Sequence, residues 1–122
     1  MASIRYMVDD VDQALRFYEV LGFVLAERPA PVIAIVERGD ITLWLSGPGT
    51  SARRPMDDGA QPGPGGWNRF VVEVDDLDAT IAELAGKGIT LRSSPVKGPG
   101  GSQALVMDPS GNPVELFQPR NA

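Results

Sequence analysis

The chain has 122 residues, which fits one domain with a real core. Zero Cys excludes disulfides, a thiol nucleophile and a thiolate metal site; zero His removes the commonest general base and metal ligand; and a net charge of −5 argues against a nucleic-acid partner. Nothing approaches the roughly 20 apolar residues of a membrane span, and no basic stretch precedes an apolar one at the N-terminus, so we expect a cytoplasmic globular protein without membrane contact.

Residues 3–8 alternate, with Ile4, Tyr6 and Val8 on one face and Ser3, Arg5 and Met7 on the other, which predicts a strand. Asp9-Asp10 offers an N-cap, Val11, Ala14, Leu15, Tyr18 and Leu21 follow at helical spacing, and Gly22 stops the helix. Strands are expected over 23–27, 32–36 and 41–45, with Gly39-Asp40 as the turn between the last two. Residues 47–66 are dense in Gly, Pro and Ser and predict a mobile loop or lid. Arg53-Arg54 within it is too short a basic run to mean nucleic acid.

The pattern then restarts. Phe70, Val72 and Val74 alternate with Arg69, Val71 and Glu73; Asp75-Asp76 caps a helix carrying Leu77, Ile81, Leu84 and Ala85; Gly88 ends it. Strands are expected over 89–92, 103–107 and 113–118, with a Gly/Pro loop at 95–101 and a turn at 108–112. Asp10 to Asp76 and Gly22 to Gly88 are both 66 positions apart, and Gly39-Asp40 to Gly111-Asn112 is 72. We therefore expect an α+β fold of two β-α-β-β-β modules forming a curled mixed sheet, with a central cleft and helices outside. The modules are residues 1–46 and 67–119.

The motifs Val8-Asp9-Asp10-Val11, Phe17-Tyr18, Leu21-Gly22-Phe23, Val74-Asp75-Asp76-Leu77 and Asp108-Pro109-Ser110-Gly111-Asn112-Pro113-Val114-Glu115-Leu116 resemble the vicinal oxygen chelate superfamily. That superfamily includes glyoxalase I, extradiol dioxygenases, fosfomycin-resistance enzymes and bleomycin-resistance binding proteins. The resemblance implies a homodimer. It also implies metal-ligand positions on the first and last strand of each module, and these fall on Ser3, Leu43, Arg69 and Glu115. Only Glu115 is a competent ligand, so no cofactor is expected; a divalent metal belongs to the alternative. We expect Arg69 to neutralise Glu115 across the cleft.

Around that pair, Arg5 shares the parity of Ser3, Glu73 that of Arg69 and Phe117 that of Glu115, so all three are candidates to line a ligand site. Trp67 is expected at a cleft mouth, where its ring can stack on a flat ligand, and Trp44, matched by the repeat to Leu116, in the core. The expected function is metal-independent binding of a small aromatic or cationic molecule, such as an antibiotic or metabolite. The alternatives are a lyase, isomerase or dioxygenase using Glu115 as base or metal ligand, and a structural partner protein.

Overall fold

The computed structural model describes residues 2–120, which form β1 (Ile4–Met7), α1 (Val11–Val20), β2 (Val24–Ala30), β3 (Ile33–Arg38), β4 (Ile41–Ser46), β5 (Val71–Glu73), α2 (Leu77–Gly86), β6 (Val96–Gly98), β7 (Gly101–Met107) and β8 (Pro113–Pro119). Two four-stranded mixed sheets result, ordered β1-β4-β3-β2 and β5-β8-β7-β6. β1/β4 and β5/β8 are parallel and the other neighbours antiparallel. The chain divides into two compact units, Met1–Gly65 with Asp108–Asn112, and Gly66–Met107 with Pro113 onward. No helix among the described residues is long and apolar enough to cross a membrane.

Both helices begin and end for the reasons the sequence suggested. The Asp10 carboxylate accepts from Gln13 N at 3.0 Å and the Asp76 carboxylate from Ala79 N at 3.0 Å, each satisfying an N–H that the first turn leaves unpaired. Gly22 and Gly88 follow the C-termini at φ +93° and +83°, a region costly for residues with a Cβ. In the first unit α1 buries Val11, Ala14, Phe17 and Tyr18 over a sheet face built from Ala34, Val36, Leu43 and Leu45. In the second, α2 lies over β7 and β8, and Leu77 and Leu84 are buried with Val72, Val106, Val114 and Leu116. Each such fully buried aliphatic side chain contributes about 1.5–3 kcal/mol. The opposite face of each sheet carries the alternate residues.

Two expectations are corrected. The predicted strand at 89–92 is reduced to a single bridge, Leu91 to Val106, and the edge strand β6 forms instead at Val96–Gly98, inside the stretch expected as loop. It forms there because Pro99-Gly100 closes a hairpin in which Gly98 pairs with Gly101. The modules are also offset by 71 rather than 72 positions in their last strands. Equivalent hydrogen bonds, Val8 N to Ser46 O at 3.0 Å and Val74 N to Phe117 O at 2.9 Å, fix that register. The β3–β4 turn is the two-residue Gly39-Asp40, with Arg38 opposite Ile41, whereas β7–β8 closes over 108–112, with Met107 opposite Pro113. Matching the two turns by their Gly residues therefore slips the count by one.

The loop at 47–66 makes contacts of its own. It opens with Gly47 N donating to Val32 O at 2.8 Å and continues into a 3-10 turn at Ser51–Arg53. Arg53 ties it down: Nη1 donates to Val8 O at 2.7 Å and Nε to Pro62 O at 3.1 Å. Arg53, part of the short basic run, thus satisfies the carbonyl that follows the first strand.

The Asp-Pro-Ser-Gly-Asn turn is the polar centre of the first unit. Asp108 is 4% exposed, and its Oδ1 accepts from Ser110 N and Asn112 N, both at 2.9 Å. Its Oδ2 accepts from the Tyr18 hydroxyl at 2.8 Å and from Asn112 Nδ2 at 2.9 Å. Asn112 Nδ2 also donates to Met7 O at 2.6 Å, and its Oδ1 accepts from Gly65 N at 2.8 Å. A buried carboxylate is tolerable only when so fully bonded. Burial, and then the Asp108 carboxylate beside it, push the Tyr18 hydroxyl far above the ordinary phenol range.

Candidate functional site

Strand alternation places the chemistry on the sheet faces opposite the helices. In β8, Val114 and Leu116 are buried and Glu115 turns the other way. Arg69, just ahead of β5, meets it there. Nε lies 3.0 Å and Nη2 2.9 Å from Glu115 Oε1, with side-chain exposures of 29% and 12%. The pair predicted from sequence is formed. Both guanidinium contacts fall on one carboxylate oxygen, so Oε2 is free of protein partners among the described residues.

Beside this pair a cavity of about 180 Å³ is lined by Trp67, Arg69, Ser93, Ser94, Gln103, Leu105 and Glu115, among others. Trp67 is 65% exposed, and the Arg92 guanidinium sits 4.4 Å from its ring centroid. A cation over an indole face is attracted by the ring quadrupole.

The first unit carries its own tryptophan site. Trp44 shares β4 with Leu43 and Leu45, both fully buried on the helix side, and itself faces away from them. The Arg5 guanidinium lies 4.9 Å from its ring centroid, and Nη1 donates to Ser46 Oγ at 3.2 Å. Ser46 Oγ in turn donates to Trp44 O at 3.0 Å. Ser3, Ile4, Arg5 and Trp44 line a cavity of about 370 Å³.

Several site expectations change accordingly. Leu43 is core, not ligand-lining, and Trp44 takes its place, because the 71-residue offset pairs Trp44 with Glu115. Alternation within β4 already carried that signal: Leu43 and Leu45 form the apolar parity and Thr42, Trp44 and Ser46 the mixed one. Glu73, a candidate to line the ligand site, is exposed, forms no ion pair among the described residues and borders neither tryptophan cavity. Phe117 shares the face of Glu115, but its ring end lies against the Gly100-Gly101 turn and it borders neither tryptophan cavity. Ser3, Arg5, Trp67, Arg69 and Glu115 each border a cavity, the first two in one unit and the others in the second. Arg92 and Ser46 were not singled out from the sequence, where nothing marks an arginine in a loop as an indole partner.

The positions where the resemblance places metal ligands do not fit a divalent cation. Corrected for register they are Ser3, Trp44, Arg69 and Glu115: one carboxylate, with one oxygen already held by a guanidinium, an indole, a hydroxyl and a cation. No group of three or more His, Cys, Asp or Glu gathers among the described residues.

Known proteins place this architecture. TnmS3, an antibiotic binding protein from Streptomyces sp. CB03234, superposes with a TM-score of 0.70 at 28% identity, over 98% of this chain and 97% of that one. Lactoylglutathione lyase from Agrobacterium tumefaciens shares the fold with a TM-score of 0.75 at 23% identity, over 97% of this chain and 92% of the other. An uncharacterized protein of Mycolicibacterium smegmatis is 29% identical over 113 residues, 91% of this chain and 86% of its own length. The family model for the glyoxalase/bleomycin resistance protein/dioxygenase superfamily matches residues 1–116, and the chain belongs to that superfamily.

Proposed function

We propose that this protein binds a small, flat, aromatic molecule reversibly and without a metal, in the manner of the binding members of its superfamily rather than its enzymes. The observation that carries this is the pair of solvent-facing tryptophan cavities, each with a guanidinium on the indole. Such surfaces hold a planar ligand by apolar contact and orient it with a few polar groups. The likeness to an antibiotic binding protein supports the choice. So does the chemistry around Glu115: Arg69 holds it through two guanidinium contacts, and no second acid or base pairs with it among the described residues.

The test is calorimetric titration with a panel of polycyclic aromatic compounds, alongside quenching of tryptophan fluorescence. Saturable binding with the compound recovered unchanged supports the proposal. No binding across the panel, or conversion of a compound, overturns it.

One observation favours the enzyme alternative, namely that Glu115 Oε2 is left open beside a cavity. Proton abstraction by that oxygen predicts turnover that Glu115→Gln abolishes.

A further inference from the structure

We infer that the first unit's cavity takes an aromatic acid, with the acid group held by Arg5; this rests on the proposed binding function and specifies the ligand's charge. Arg5 has no carboxylate partner among the described residues. Arg28, Arg53 and Arg69 have an acidic partner within 4.0 Å, while Arg16, Arg38, Arg54, Arg92 and Arg120, like Arg5, have none among the described residues; what sets Arg5 apart is its place on an indole at the edge of a cavity. Arg5 is exposed, yet its guanidinium is not simply in water. It is folded onto Trp44 and steadied by Ser46, which itself is fixed by the Trp44 carbonyl.

Among the described residues only one guanidinium donor is used in this arrangement, so the rest of the planar fork is available beside the cavity. A carboxylate fits such a fork with two parallel hydrogen bonds. The walls next to it are Ile4, 39% exposed, and the indole of Trp44, which suit a flat ring, and the Ser3 hydroxyl borders the same space. Among the described residues the lining holds one cation and no anion. The net charge of −5 repels an anion at long range, so any preference for an acid must arise locally at Arg5.

The experiment compares 2-naphthoate, its neutral isostere 2-naphthamide and the cation 2-naphthylmethylammonium by calorimetry. It uses the Trp67→Phe variant, in which Trp44 is the sole tryptophan reporter. Naphthoate should bind about tenfold or more tighter than the amide, as a charge-assisted fork requires, and the ammonium should bind weakest. Arg5→Met should bring the acid and amide within about twofold of each other, and Arg5→Lys should keep part of the preference. Arg16→Met makes the same charge change on an exposed helix position and should leave the ratio unchanged. Equal binding of acid and amide overturns the inference while leaving aromatic binding intact, as does a preference that survives Arg5→Met. Failure of all three naphthalenes to bind overturns both.

Discussion

Replacing Asp108 with Asn changes almost no volume but reverses one hydrogen-bonding atom inside the first unit. The new carbonyl can occupy the place of Oδ1 and keep Ser110 N and Asn112 N, both at 2.9 Å. The new amide NH₂ then replaces Oδ2, where the Tyr18 hydroxyl and Asn112 Nδ2 donate at 2.8 and 2.9 Å. Asn112 cannot flip to help, because its Nδ2 holds Met7 O and its Oδ1 holds Gly65 N. Two bonds to a charged acceptor are lost, at about 1.5–3 kcal/mol each. Turning the Tyr18 hydroxyl to accept from the new NH₂ recovers about 1 kcal/mol. The net cost is about 3 kcal/mol, or a fall in Tm of about 10 °C for a chain of this size. Equilibrium urea unfolding measures it as a lower midpoint at unchanged m. Tyr18→Phe should cost less, about 1–2 kcal/mol, and the two changes should be strongly non-additive because they share one bond. Stability within about 0.5 kcal/mol of the parent for Asp108→Asn would refute the account of this turn.

Other expectations follow from the same structure. Arg69→Ala should lower stability by about 1–2 kcal/mol, less than for a fully buried pair because Arg69 is 29% exposed, and Glu115→Gln should lower it less because a neutral acceptor remains; thermal unfolding distinguishes the two. Gly101→Ala should cost about 3 kcal/mol or more, since φ is +155° and a Cβ would lie 2.2 Å from Gln118 O, and chemical denaturation measures the loss. The raised Tyr18 hydroxyl stabilises the folded state fully below the ordinary phenol pKa of about 10; above it the unfolded chain releases this proton and the folded one keeps it, so stability falls with rising pH by up to about 1.4 kcal/mol per unit. Tyr18→Phe should remove that slope, and absorbance at alkaline pH should show this tyrosine titrating only on unfolding.

What the sequence made legible was whatever depends on local period and caps. Asp10, Asp76, Gly22 and Gly88 announced both helices, and the 66-residue spacing announced the repeat. Arg69 and Glu115 could be paired because strand parity and the repeat agreed there. Trp44 was misplaced where those two signals disagreed: a turn-based count was preferred to the alternation of β4, and the turns differ in length. Strand β6 was hidden because its hairpin partner, rather than its own Val-Lys-Gly composition, makes it a strand. Arg53 and Arg92 act through contacts distant in sequence or fixed by loop geometry, which no local pattern encodes.

The composition of the first unit has a bearing on how the chain is made. Tyr18 lies 90 residues from the carboxylate that receives its proton, and Met7 O lies 105 from the amide that caps it. A nascent chain that has emerged only as far as residue 65 therefore holds the apolar residues for its first sheet, but not the Asp108 carboxylate that accepts from its central hydroxyl. The two halves look alike, yet the first is completed by a late segment: excised at Gly65, it would lack the Asp108 carboxylate to which the buried Tyr18 hydroxyl donates. Any attempt to express it alone, or to split the gene at the loop, should give an aggregating fragment that is rescued by supplying the missing segment in trans.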